Sequence, residues 1–330
     1  MPLRCDVAVV GSGFTGRFVH RLLQAEGVDA VLVGQADDEL LPLLQVGTTE
    51  HPHRLEAALG TERARTYVQF SQRAAQLLRQ HVPVTDGGWR VGVRDEVDEL
   101  EASVAASERL GMASALAQTP LGLARAVPED GVATLDLQAQ VLPGQVTGVL
   151  EEDDVVLEGV DVVCTAAVLC SGWRLSQLDG WFADKLTPVR AQALLLDAHA
   201  ERGGSGQHGH LYWAPTPEGL LVGGARWATP HLESWETEAV PNPRVSERLR
   251  SWARQHWQGA ELGERAVVRT YTCDNLPLVG PLPGRCRLIA CTGFGENTLA
   301  LAPAAAEAVV QGLLTGKTTL PPFLAASRFV

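Results

Sequence analysis

Three glycines near the start of the chain, Gly11, Gly13 and Gly16, have the spacing G-x-G-x-x-G within CDVAVVGSGFTGRFVHRLLQAEGVDAVLVGQADD, residues 5 to 38. An apolar run, Val7 to Val10, precedes them, and a segment of helical periodicity carrying Phe14, Phe18, Leu22 and Leu23 follows. A strand, a glycine turn and a helix in that order make a cradle for pyrophosphate. The first glycine permits the tight turn, the second lets backbone approach the phosphates, and the third lets the helix pack on the strand, so that the phosphates meet the positive helix N-terminus. The spacing predicts a dinucleotide site, with Phe14 and Thr15 in its turn. An acidic residue usually closes the second strand and takes the ribose hydroxyls, but here Ala30 to Val33 runs into Gly34. Asp37 and Asp38 follow only slightly later, and Asp37 is the candidate to reach back.

Two pairs of histidines have metal-like spacing. His51 and His53 in TEHPHRL, and His208 and His210 in GQHGHLY, recur at i,i+2, which on a strand puts both imidazoles on one side. No third ligand stands nearby in sequence, so solvated loop histidines are expected and no metal site is predicted. The six cysteines, Cys5, Cys164, Cys170, Cys273, Cys286 and Cys291, lack C-x-x-C spacing and read as small core residues.

The elements that must position these residues are legible in outline. At 330 residues and 45% hydrophobic composition the chain is long enough for two domains. A net charge of −12 without a Lys/Arg stripe argues against nucleic acid or an anionic membrane as partner and favours a small molecule. Met1 lies a few residues before the first strand, leaving no room for a leader, and no long apolar run predicts a membrane span, so a cytoplasmic protein is expected. Thr61 to Val82 is strongly helical, with Tyr67, Phe70, Ala74, Leu77 and Leu78 near one face. The pattern loosens from Pro83 to about Arg125. Ala166 to Cys170 reads as a buried sheet strand ending at Ser171-Gly172. Pro188 to Trp227 reads as antiparallel strands joined by Gly/Pro turns, followed by an amphipathic helix around SERLRSWARQHWQG. RLIACTGFGENTLALAPAAAEAVVQGLLTG repeats the opening logic, with a long helix from about Asn297.

The segment DNLPLVGPLPGRCRLIACTGFGENTLALAPA resembles the flavin-closing segment of the D-amino-acid oxidase, glycine oxidase and sarcosine oxidase superfamily. The opening glycines resemble that family's FAD fingerprint. VVCTAAVLCSGWRLSQL is similar to its strand ending in a small-Gly-Trp turn, and YWAPTPEGLLVGGA to its substrate-domain hairpin. The resemblance covers most of the chain in order. It implies an α/β fold in which a Rossmann-type FAD-binding domain (1–82, 126–187, 266–330) is accompanied by a mainly antiparallel substrate domain (83–125, 188–265) placed over the flavin. It implies non-covalent FAD, since Cys273 falls four residues past the arginine position near which relatives tether the cofactor. Cofactor contacts are expected from Thr48, Thr49 or Arg54, from Val146, Ser171, Gly172 and Trp173, and from Gly293, Phe294, Gly295, Glu296, Asn297 and Thr298. The last turn aims backbone N–H groups and a helix dipole at the N1/C2=O edge of a reduced flavin.

Arg269, in VVRTYTCDNLPLVG, stands where glycine and D-amino-acid oxidases carry an arginine resembling a carboxylate clamp, and the guanidinium fork suits a carboxylate. Tyr212 and Tyr271 are the candidate partners for that carboxylate, with an aromatic core filler as the alternative for each. Trp213 and Trp227 are either pocket wall or core. The expected reaction is oxidation of a C–N bond in a small amino acid or secondary amine, with hydride passing to flavin N5, hydrolysis of the imine and reoxidation by dioxygen or another acceptor. Two rivals are a 2-hydroxy acid oxidase using His51, His53 or His210 as base, and a degenerate flavoprotein-like subunit that works by assembly; an oligomer is compatible with either. Three departures from the family pattern stand out. Gly34 replaces the acid, Phe294 and Glu296 replace histidine and glycine, and Leu135 to Val146 leaves little room for an expected helix. Glu296 beside a flavin must point away, pair with a cation, or face a substrate ammonium.

Overall fold

The computed structural model describes residues 1–35, 41–92 and 97–329. The chain divides into two compact units, one made of Met1–Leu40, Asp136–Pro188 and Arg269–Val330, the other of Leu41–Leu135 and Val189–Val268. Residues 41–82 and 126–135 thus group with the second unit, whereas the sequence reading placed them with the dinucleotide-binding segments. The reason is packing. Ala64 and Val68 of the helix Thr61–His81 share a buried cluster with Leu110 and Met112, and Leu43–Leu44 pairs antiparallel with Gly131–Val132.

In the first unit, the strand Leu3–Val10 lies between Ala30–Gly34 and Val162–Leu169, parallel to both, and Arg285–Thr292 extends the sheet in parallel beyond Val162–Leu169. Val7, Ala8, Val9 and Val10 are all buried, as a parallel strand covered on both faces requires. The short strand Val141–Pro143 joins Ala30–Gly34 in parallel, and no helix forms between Asp136 and Val146. That segment is held instead by Arg17, whose Nη1 donates to the Leu137 carbonyl at 3.1 Å. The helix Thr298–Thr315 begins one residue later than expected. Together with the turn before it, Gly295–Thr315 has a mean hydropathy of 1.3 and a length of 21 residues, values that the core helix of a folded domain also reaches. It is mainly a core helix, with Leu299–Ala306 all buried.

In the second unit, an eight-stranded sheet runs in the order Glu261–Thr272, Leu186–Leu196, Gly219–Gly224, Leu211–Thr216, Gly204–Gly206, Gly88–Val91, Gly122–Val127, Ala115–Thr119. The helix Pro243–His256 covers part of it. Asn242 caps that helix by accepting from the Arg244 N–H at 3.0 Å, and Pro243 fills the first helical position, so the helix starts earlier than its apolar periodicity alone indicated. Trp213 is fully buried, with its ring centroid 6.0 Å from that of Trp252 and 5.8 Å from that of Trp257. It is core, whereas Trp227 is 43% exposed.

A buried ion pair fastens the segment Gln45–Thr49 within this unit. Arg90 Nη2 lies 3.0 Å from Asp130 Oδ1 and donates to the Val46 carbonyl at 2.8 Å, while Arg90 Nη1 donates to the Thr48 carbonyl. Asp130 Oδ1 accepts from the Val46 N–H at 2.7 Å, and Ser71 Oγ accepts from the Gly47 N–H at 2.8 Å. Removing one partner of a buried pair leaves the other charge uncompensated. Asp130→Asn is accordingly expected to cost about 3–5 kcal/mol, read as a lowered urea midpoint; an unchanged midpoint would show that the pair does not hold this segment.

Candidate active site

The ends of the three central strands of the first unit meet around the glycine turn. Gly11 has φ +112°, its N–H donates to the Val33 carbonyl at 2.8 Å, and a Cβ on it would stand 2.8 Å from the Cys170 carbonyl carbon and the Ser171 nitrogen. Ser171 Oγ donates to the Val10 carbonyl at 3.0 Å. A Cβ on Gly16 would run into the Gly11 carbonyl oxygen, so the helix Phe14–Ala25 rests directly on the turn. Gly13 caps that helix, and its first turn, which includes Phe14 and the buried Thr15, carries no acidic residue. The N-terminal end therefore remains electropositive.

A cleft of about 320 Å³ opens at this turn. Gly11, Ser12, Gly34, Gln35, Val146, Ser171, Arg174 and Gln177 are among the residues that line it. Of the predicted cofactor residues, Gly11, Val146 and Ser171 are therefore brought together. Ser12, Gln35, Arg174 and Gln177 were missed, although Ser12 and Arg174 lie beside named motif residues. Gly34 has a spatial explanation. A side chain there would meet Ser12 Oγ at 2.7 Å and Ser12 N at 2.8 Å, and the Ser12 hydroxyl donates to the Gln35 carbonyl. Serine thus fills the place in which an acidic side chain at position 34 would begin. Asp37 lies outside the described residues.

The second glycine turn of the unit is built against the strand Glu261–Thr272. Tyr271 pairs with Phe294, and a Cβ on Gly295 would come within 2.7 Å of the Tyr271 ring. Arg269, two residues back on the strand, is 8% exposed, and its Nη1 lies 3.3 Å from Glu296 Oε1. Arg269, Tyr271 and Glu296 thus form one group, and Glu296 takes the cation-paired alternative. Thr270, between them, accepts from the Trp173 N–H at 2.7 Å and so ties Gly172–Trp173 to the same strand. Gly293 precedes this turn, and Thr298 Oγ1 donates to the Gly295 carbonyl at 3.2 Å. Asn297 Oδ1 is buried and accepts no hydrogen bond among the described residues.

In the second unit Tyr212 is 4% exposed, packs with Leu43, Val132 and Ala214, and donates to the Gln192 carbonyl at 3.5 Å. Its ring lies over Gly223. The core-filler alternative describes it here. His51 and His53 open a helix, Pro52–Leu59, rather than sharing a strand, and His210 stands 5.8 Å from the Trp227 ring. The clustered set is drawn from both pairs. His51 Nε2 lies 3.4 Å, His208 Nδ1 3.6 Å and His53 Nε2 4.0 Å from Glu99 Oε2. Arg54 Nη2 donates to both Glu99 oxygens at 2.9 Å. Glu99 is the third ligand type that sequence proximity failed to supply, because it comes from the helix Val97–Leu110. Burial pushes the His51 imidazole down to about 4, against the pull of Glu99, and His53 is lowered for the same first reason.

A glycine cradle at the carboxyl ends of parallel strands defines a Rossmann-type dinucleotide-binding unit. The sequence pattern of the FAD dependent oxidoreductases matches residues 6–311, and the chain belongs to that family. A curated relative, the tRNA 5-methylaminomethyl-2-thiouridine biosynthesis bifunctional protein MnmC of Caulobacter sp. (strain K31), is 28% identical over 97% of this chain, which spans about half of it (56%). Among solved structures, L-proline dehydrogenase from P. horikoshii is similar with a TM-score of 0.81 and 15% identity, covering 100% of this chain and 98% of its own. Glycine oxidase from Geobacillus kaustophilus follows at 0.78 and 17%, covering 99% and 100%. These two likenesses establish the fold.

The residues present fit FAD. The cradle has no room for a Cβ at Gly11 or Gly16, the adjoining cleft holds Arg174, and the Asn297 amide keeps an unused buried acceptor. Gly11→Ala would force a Cβ into the Cys170–Ser171 backbone at a φ that L-residues rarely adopt. We expect its flavin content after purification to fall below about a tenth of wild type; wild-type absorbance bands would show that the turn does not carry the cofactor.

Proposed function

We propose that this chain oxidises a C–N bond in a small amino acid or secondary amine, with FAD held non-covalently by the first unit and the second unit serving as substrate domain. The observation that carries this reading is the Arg269–Glu296 pair, an anchor of each sign 3.3 Å apart on one wall of the second glycine turn. An amino acid carries the complementary charges. Its carboxylate exchanges onto the Arg269 fork, where a bidentate contact is available, and its ammonium onto Glu296. Tyr271, on the same strand face as Arg269, presents its ring beside them.

Glu296 Oε1 then holds the proton released when the ammonium becomes a neutral amine, freeing the nitrogen lone pair to stabilise the imine as it forms. Arg269 fixes the Cα–H direction by fixing the carboxylate. When bound, FAD supplies the acceptor for the hydride, and dioxygen or another acceptor takes the electrons onward. Water adds to the imine after release, giving an amine and a carbonyl compound. The MnmC relative's name carries a methylaminomethyl group, a secondary amine, which supports including that class. The hydroxy-acid reading is weaker, since His51 and His53 are engaged by Ser103 and Glu99. The position of Cys273, four residues past Arg269, supports a flavin that leaves on denaturation.

Anaerobic bleaching of the flavin by glycine, N-substituted glycines and L-proline identifies the substrate. Arg269→Lys should then raise KM about 10–100-fold, the loss of a charge-assisted contact of about 1.5–3 kcal/mol. Glu296→Gln should raise KM about tenfold for the same amines with an unaltered flavin spectrum. KM values unchanged in both variants, or bleaching by lactate-like acids alone, would sink the proposal.

A further inference from the structure

The second unit carries an imidazole cluster that the reaction above does not use, and its hydrogen bonds determine where the lone pairs point. Ser103 Oγ has one proton and donates it to the Glu99 carbonyl, an acceptor only, at 2.6 Å. The same oxygen lies 2.9 Å from His51 Nδ1 and 3.2 Å from His53 Nδ1. With its proton committed, Ser103 can only accept from both rings, so each carries its hydrogen on Nδ1 and leaves a lone pair on Nε2. Both Nε2 atoms face Glu99 Oε2, itself an acceptor. His51 is 6% exposed, and its Nε2 has no hydrogen-bond partner among the described residues. Two ring lone pairs aimed at one carboxylate oxygen, one of them from a buried ring, form a site that a cation can complete.

We propose that His51, His208 and Glu99 form a binding site for a divalent transition-metal ion of zinc's class, with the fourth position open to water. In a tetrahedral zinc site with bonds of about 2.0–2.1 Å, neighbouring ligand atoms are separated by about 3.4 Å. The distances from Glu99 Oε2 to His51 Nε2 and His208 Nδ1 are 3.4 and 3.6 Å. Ser103 is the outer partner that fixes the tautomer of His51, and Arg54 is the outer partner of the carboxylate. His208 is delivered by a turn in which Gln207 and His208 both have positive φ, 51° and 56°. That left-handed conformation costs roughly 1–2 kcal/mol per non-glycine residue, and it brings Nδ1 to within 3.6 Å of Glu99. Three separate chain segments would be joined by the ion.

The test uses the tag-free full chain, stripped with chelator, dialysed and titrated with zinc alone, with metal measured by mass spectrometry and Co²⁺ used as a spectroscopic probe. The expected result is one equivalent of zinc and the intense visible bands of tetrahedral cobalt. Glu99→Gln and His208→Gln should lose both, and Ser103→Ala should weaken binding about 10–100-fold, all with flavin content unchanged. No stoichiometric binding by wild type would overturn the site and leave the cluster as a packing and hydrogen-bonding arrangement. Binding equally strong in Glu99→Gln would also overturn it, by placing the metal elsewhere. Because His51 is buried, the exposed-side variants Glu99→Gln and His208→Gln keep the test independent of folding.

Discussion

The close approach of backbone to backbone at Gly11 is the constraint on which the first unit depends. Gly11 touches the Cys170–Ser171 peptide on one side and bonds to Val33 on the other, and the helix Phe14–Ala25 closes on it at Gly16. Three strand ends and one helix start meet where no side chain fits. The consequence is a cleft floored by close-packed backbone at the electropositive start of a helix, which suits a phosphate. Gly34 belongs to the same economy of space, because the serine between the first two glycines occupies the room an acid would need.

What was legible in the sequence follows from how local the physics is. The opening cradle spans a dozen residues, and its glycines are required by contacts that recur wherever that turn is made, so Gly11, Gly13 and Gly16 could be read directly. The second turn was legible through its resemblance to a known family, but its pairing with the strand that carries Arg269 and Tyr271 was not, because that contact joins residues over twenty positions apart. The unit boundary at residue 40 was not legible, because helix periodicity says which face of Thr61–His81 is buried but not against what. The histidine cluster escaped for a related reason. Its members come from positions 51, 53, 99 and 208, and i,i+2 spacing describes a strand, whereas His51 and His53 stand at the start of a helix.

Buried charge is handled in two ways. Arg90 and Asp130 use their hydrogen bonds on each other and on the backbone of Gln45–Thr49, and a pair so embedded orients chain. Arg269 and Glu296 are separated by 3.3 Å, longer than the 2.7–2.9 Å typical of a good charge-assisted bond. Under the proposed function, a looser pair is cheaper to exchange for a ligand that brings both signs with it.

The first unit is assembled from segments separated by long stretches of chain, and this sets an order of events during synthesis. The strand Leu3–Val10 waits about 150 residues for Val162–Leu169, and its sheet gains Arg285–Thr292 and the covering helix Thr298–Thr315 later still. Such non-local pairing closes slowly and leaves apolar strand faces exposed in the interval. The cradle at Gly11, which needs the Cys170–Ser171 peptide as well as the first strand, therefore cannot exist until the chain has passed residue 171.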